Sequence, residues 1–199
     1  SHRALSEHKT LSISWSHYQL SCNALWQKCV LATLYRAAAT HPEIKLLQFK
    51  LIPGQGINKT IPSLMADFTG EMHRLISEYL QCKRRKDKSV EPTPLYYLWS
   101  REAVANDTTP YLMVLLLNND VWCKSREVVV LRNLIEQAWG KVLGEDNSIT
   151  HLVVYPEVLS LVFDAANTYN AESGVLEQTA RAYIESHGAI ERHLGCSDF

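Results

Sequence analysis

No stretch of this 199-residue chain is apolar for anything near the ~18 residues that a membrane-spanning helix needs. The opening "SHRALSEHKT" lacks the apolar region of a secretory signal. Neither charge sign dominates. With 20 basic against 21 acidic residues, attraction to a polyanion would have to come from a local patch rather than from the chain as a whole. Cys22, Cys29, Cys82, Cys123 and Cys196 are odd in number and scattered, with no C-x-x-C and no zinc spacing. Reduced thiols in a cytoplasmic protein are the expectation, and Asn58 and Asn106, although followed by x-Ser/Thr or its equivalent, then carry no glycan. Also missing are G-x-x-x-x-G-K-[ST], G-x-S-x-G and H-E-x-x-H, so the P-loop, the nucleophile elbow and the zincin helix are all set aside. The "GQG" at 54–56 reads as a turn.

What is present is an ordinary globular composition, 46% hydrophobic and 21% charged, at a length that suits one domain with an extension. Residues 11–39 place Trp15, Tyr18, Cys22, Leu25, Trp26, Cys29, Val30 and Leu34 at steps of three and four, the spacing of an amphipathic helix, or of two. "EIKLLQFKLIPGQG" alternates Leu47, Phe49 and Leu51 and reads as a strand stopped by proline and glycine. A long helix follows from Pro62, with Leu64, Phe68, Met72, Leu75 and Tyr79 on one face. "LYYLWSRE" (95–102) is a strand rich in aromatics. "TPYLMVLLLNND" (109–120) runs six apolar residues from Leu112 to Leu117, too short for a helix and uniform enough for a strand buried on both faces. Val128, Leu131, Leu134, Ile135, Ala138 and Val142 then mark a helix that Gly144 closes, and "SITHLVVYPE" (148–157) reads as a further strand. Residues 174–187 carry a helical pattern.

This order is strand–helix–strand–strand–helix–strand. It predicts an α+β fold, a ferredoxin-like split βαβ antiparallel sheet over residues 41–199 with both helices on one face. Residues 1–40 form a helical N-terminal extension. They and a C-terminal helix are the expected extra layers on the other face, which otherwise lies open to a ligand.

Several groups could carry chemistry. "KRRKDK" puts Lys83, Arg84, Arg85, Lys86 and Lys88 at a helix C-terminus, where they serve equally as phosphate contacts or as a solvated cap favoured by the macrodipole. Tyr97 and Trp99 could stack on the bases of single-stranded DNA, although strand alternation allows only one parity of "LYYLWS" to face an open groove. Asn118, Asn119 and Asp120 suit a turn. Asp120, Glu102 and His151 would make a carboxylate–histidine site only if three separate strands brought them together.

"PYLMVLLLNND", "LRNLIEQAWGKVLG", "HLVVYPE" and "ARAYIESHGAIERHLGCSD" resemble, in order and spacing, the inovirus replication-protein-like prophage family of the YagK/YfjJ C-terminal type. The resemblance runs from about residue 44 to the end. It implies kinship with rolling-circle replication initiators, in which two histidines flanking one apolar residue on a central strand bind a divalent cation and a helical tyrosine attacks a DNA phosphate. The histidine positions fall on Pro110 and Leu112, and no His-x-His occurs anywhere in the chain, so no metal or other cofactor is expected. Tyr183 of "ARAYIE" matches the family tyrosine, but the lysine after it is Glu185, the wrong sign for a phosphate site. The resemblance therefore implies a degenerate initiator-like protein of a mobile element, non-catalytic and DNA-binding or regulatory. The alternatives are an active nicking enzyme with Tyr183 as nucleophile and a protein–protein interaction module. Single-stranded or hairpin DNA and a protein are the expected partners, and a membrane is not.

Overall fold

The computed structural model describes residues 9–13, 15–56, 59–86, 94–144, 150–157, 160–164 and 192–197. The elements run β1 (Lys9–Ile13), α1 (Trp15–Thr40), β2 (Glu43–Leu51), α2 (Ile61–Lys86), β3 (Tyr96–Glu102), β4 (Tyr111–Asn118), a short α3 (Asn119–Trp122), α4 (Ser125–Leu143), β5 (Val153–Val154), β6 (Ser160–Asp164) and β7 (Arg192–Cys196). All strand pairs among them are antiparallel, in the order β1-β7-β3-β4-β2-β5, with β6 sharing the outer side of β2. The inner run β3-β4-β2-β5, with α2 and α4 as its connections, is the split βαβ arrangement expected from the sequence. The fold is α+β.

Alternation along the strands sorts their side chains into two cores. Leu47, Phe49, Leu51, Tyr97, Trp99, Tyr111, Met113, Leu115 and Leu117 face α2 and α4, where they meet Phe68, Met72, Leu131, Ile135 and Trp139. Ile44, Leu46, Leu98, Val114, Leu116, Leu194 and Cys196 face the other way and are covered by Cys29, Val30, Leu34, Ala37 and Ala38 of α1. β4 is apolar throughout because it is buried from both sides. The face expected to be open or overlaid is overlaid, and α1 is the layer that does it.

Four features depart from the sequence reading. The helix expected from residue 11 begins at Trp15, and Lys9–Ile13 is a strand paired with β7; "TLSI" is as compatible with a two-residue period as with a helical one over so short a span. The strand expected over 148–157 is reduced to Val153–Val154 after a single 3-10 turn at Thr150–Leu152, because β2 offers it Lys50 and Leu51 alone. β6 takes the rest of that edge, pairing Glu43–Leu47. β7 inserts between β1 and β3 in the tail, where no strand was expected. Its Gly195 lies under the Trp99 indole, so close that a Cβ there would stand 2.2 Å from Trp99 Nε1. The helical pattern at 174–187 lies outside the described residues.

Candidate nucleic-acid interface

α2 is strongly amphipathic, and its apolar face continues to its last turns, where Tyr79 and Lys83 lie four residues apart on the same side. Tyr79 stacks on Trp122 with ring centroids 5.4 Å apart. Its hydroxyl donates to Glu127 Oε2, and Lys83 Nζ donates to Glu127 Oε1 while sitting 5.6 Å from the Tyr79 ring centroid. Glu127 belongs to the first turn of α4, an end of the helix that favours negative charge. It is buried at 1% exposure. Burial pushes its carboxyl upward, yet Lys83, Tyr79 and Arg126 together hold it below the usual carboxylate range. Burial, and then the same carboxylate, push the Tyr79 phenol up to about 12. Arg126 Nε approaches Glu127 Oε1 at 3.6 Å from the solvent side.

One buried carboxylate therefore ties the C-terminal turn of α2 to the N-terminal turn of α4. Lys83 is spent in that tie. Arg84, Arg85 and Lys86 are exposed and make no ion pair among the described residues, and Lys124 and Arg126 are exposed at the start of α4, next to the Glu127 that Lys83 contacts. Lys88 lies outside the described residues. The sequence reading found the first basic segment and missed Lys124, Arg126 and the Glu127 hub. An isolated acid amid "KSREVVV" was the available signal, but its partners are 44 and 48 residues away.

Tyr97 and Trp99 do not join this surface. Both are fully buried in the core under α2 and α4, so no base can stack on them; alternation put their parity on the helix-covered side. Asp120 and Glu102 lie past opposite ends of β4, and His151 precedes β5 on the far side of β2, so those three residues are not brought together. Among the described residues no cluster of His, Cys, Asp and Glu could hold a metal ion. Pro110 and Leu112 are half-buried, at the start of β4, with nothing but carbon in their side chains. Tyr183 lies outside the described residues.

The same end of the sheet holds further buried polar groups. Asn118 caps α3 by accepting from the Asp120 amide at 3.0 Å. Asn119 donates to Glu43 Oε1 at 3.1 Å, and Lys45, 4% exposed, donates to the Trp122 carbonyl at 2.7 Å. Burial pulls the Lys45 ammonium below its ordinary value. His41, at the junction of α1 and β2, is 2% exposed and neither ring nitrogen finds a hydrogen-bond partner among the described residues. Its ring meets the edge of Tyr96 at 5.9 Å between centroids, and burial, partly opposed by Asp120, takes its pKa down to about 4.

A family model for the YagK/YfjJ C-terminal domain matches residues 16–173, which includes every element from α1 to β6. The chain belongs to that family. The match takes in α1, which the resemblance read from the sequence left out, and ends before the segment that carries Tyr183. The uncharacterized protein YagK of Escherichia coli (strain K12) is 26% identical over 149 residues, covering 68% of this chain and 72% of its own length. No solved structure matches.

Proposed function

We propose that this YagK/YfjJ-type chain is a non-catalytic DNA-binding or regulatory protein of a mobile element, built on a replication-initiator-like scaffold. The observation that carries the reading is the exposed triplet Arg84, Arg85 and Lys86, held out from the body of the protein because Lys83 and Tyr79 behind it are anchored on Glu127. Cations in a helix's last turn complement its dipole, and an anchored helix end presents them together at a reduced entropic cost on binding. In a chain with nearly balanced charge, such a concentration of one sign favours a polyanion over a neutral partner.

The non-catalytic part of the reading rests on β4. In the replication initiators that the sequence resembles, metal-assisted attack uses two strand histidines, and their positions fall here on Pro110 and Leu112, whose side chains carry no metal donor. The test is an electrophoretic mobility shift with a DNA fragment at low salt, comparing the parent chain with Arg84→Ala/Arg85→Ala/Lys86→Ala. The parent is expected to shift the fragment and the triple variant to lose most of that binding. A parent that leaves DNA unshifted at low salt, or a triple variant that binds as well as the parent, removes the reading.

A further inference from the structure

We infer that Arg84, Arg85, Lys86, Lys124 and Arg126 form one surface for the phosphate backbone of double-stranded nucleic acid, bound without stacking on bases. The inference rests on the reading of this pole as DNA-binding and deepens it by naming the form of nucleic acid.

Two observations join α4 to the surface. Glu127 accepts from Lys83 and lies 3.6 Å from Arg126, so the two basic segments, forty residues apart in the chain, are held side by side. Lys124 occupies the N-cap position of α4, where it provides no side-chain cap, and Arg126 follows in the first turn. Positive side chains at a helix N-terminus oppose the macrodipole and are mildly unfavourable for folding. Arg126 recovers part of that cost through Glu127, but Lys124 makes no cap and no ion pair among the described residues, and such departures from local preference are expected at functional sites. An anion docked between the helix ends would reverse that penalty, since it meets the basic side chains and the positive end of α4 at once.

The aromatic side chains decide between duplex and single strand. Binding of a single strand draws much of its affinity from bases stacked on exposed rings. Around this pole the described rings are occupied. Trp122 is buried and stacked on Tyr79, Tyr79 is held by Glu127, and Tyr97 and Trp99 are enclosed in the core. Among the described residues, what remains at the surface of this pole is charge with no free aromatic platform beside it. Such a surface favours the partner with the densest regular array of phosphates, which is a duplex, and it reads no sequence.

Fluorescence anisotropy with the full chain tests this, using a labelled duplex of arbitrary sequence about two helical turns long and its separate strands, each over a series of salt concentrations. The duplex is expected to bind more tightly than either strand by about tenfold at low salt, with no dependence on its sequence. Replacing both exposed α4 cations (Lys124→Ala/Arg126→Ala) is expected to flatten the logarithmic salt dependence for the duplex by up to ~1.8, about 0.9 for each lost phosphate contact. Thermal melting of the variant checks that its fold is retained. Single strands bound as tightly as the duplex, or in a base-dependent way, would overturn the inference while leaving the DNA-binding reading in place. So would an unchanged salt slope in the α4 variant. No binding of either form at low salt would overturn both.

Discussion

Glu127, in the first turn of α4, accepts from Lys83, in the last turn of α2, and is the one carboxylate buried among the described residues. The pair joins two helices that also share the Lys141–Glu71 ion pair and otherwise meet through apolar side chains, and it sits directly behind the exposed cations.

Glu127→Gln should therefore destabilise the fold by about 1–2 kcal/mol at neutral pH, read as a lower midpoint in urea. The loss is moderate because Lys83 is part-exposed and can turn to water, and glutamine still accepts from Tyr79. Since the Glu127 carboxyl is held below its unfolded value, near ~4.3, its contribution is present above that value and is lost as pH falls through the lower, folded one. The variant should lack this acid-side component. Equal midpoints for parent and variant at neutral pH would show that the pair stabilises nothing.

His41 acts at a different pH. Its folded pKa, about 4, lies below the ordinary value of 6.5, so the neutral ring is the form the fold accepts. Its contribution is whole above 6.5, falls as pH drops towards 4, and levels off below that, a loss on the order of 3 kcal/mol. His41→Leu gives up no hydrogen bond, since neither nitrogen makes one among the described residues, and should flatten the stability curve across that window. A curve of unchanged slope in the variant would assign the pH dependence to other groups.

Gly195→Ala should be among the most damaging single-methyl additions to the chain. The added carbon would overlap the Trp99 indole, a large ring enclosed in the core, and the β3–β7 pairing would have to open to admit it. A cost of about 2–3 kcal/mol is expected in a denaturation series. A loss below ~0.5 kcal/mol would mean that Trp99 can move aside.

Tyr183 offers a test of catalysis. A phenol is mostly protonated at neutral pH and needs a cation on the phosphate or beside its own oxygen to attack. With Pro110 and Leu112 where the resemblance places metal-binding histidines, and Glu185 where it places a lysine two residues after the tyrosine, no covalent tyrosyl–DNA adduct is expected with single-stranded or hairpin DNA in magnesium or manganese. Tyr183→Phe should alter stability by no more than about 1 kcal/mol. A denaturation-resistant protein–DNA band that vanishes in Tyr183→Phe would restore the nicking-enzyme reading.

The elements with strong local patterns were legible in the sequence. The α2 stripe of Leu64, Phe68, Met72 and Leu75 is buried, and Gly144 closes α4 in the left-handed conformation at φ 72°. The parity of "LYYLWS" was legible as well, but not which parity would meet which layer, so Tyr97 and Trp99 were placed at a groove they never reach. The strands β6 and β7 are five residues each and owe their state to partners supplied by β2 for the one and by β1 and β3 for the other, information that no local window holds. The basic segment 83–86 was legible as charge. Its division into one anchored lysine and three presented cations depends on Glu127, and contacts at such separations leave no pattern in a single sequence.

β4 is apolar towards both α1 and the α2–α4 layer, and so polarity does not record which of its side chains belongs to which side. Sliding the strand back by one residue would trade Tyr111, Met113, Leu115 and Leu117 for Pro110, Leu112, Val114 and Leu116, and the Tyr111 hydroxyl, which accepts from Arg101, is the polar group it would carry into the other core. Beyond that hydroxyl, bulk guards the register. The helix side takes Tyr111 together with Trp99 and Tyr97, while the α1 side is lined by residues as small as Val114, Ala37, Ala38 and Cys29. Pro110 and the Asn118 cap pin the two ends. The strand is thus forgiving of one hydrophobe for another on the same side and intolerant of volume moved across it. Exchanging the residues at 113 and 114 would conserve composition and hydropathy entirely and still set the strand against both of its neighbours.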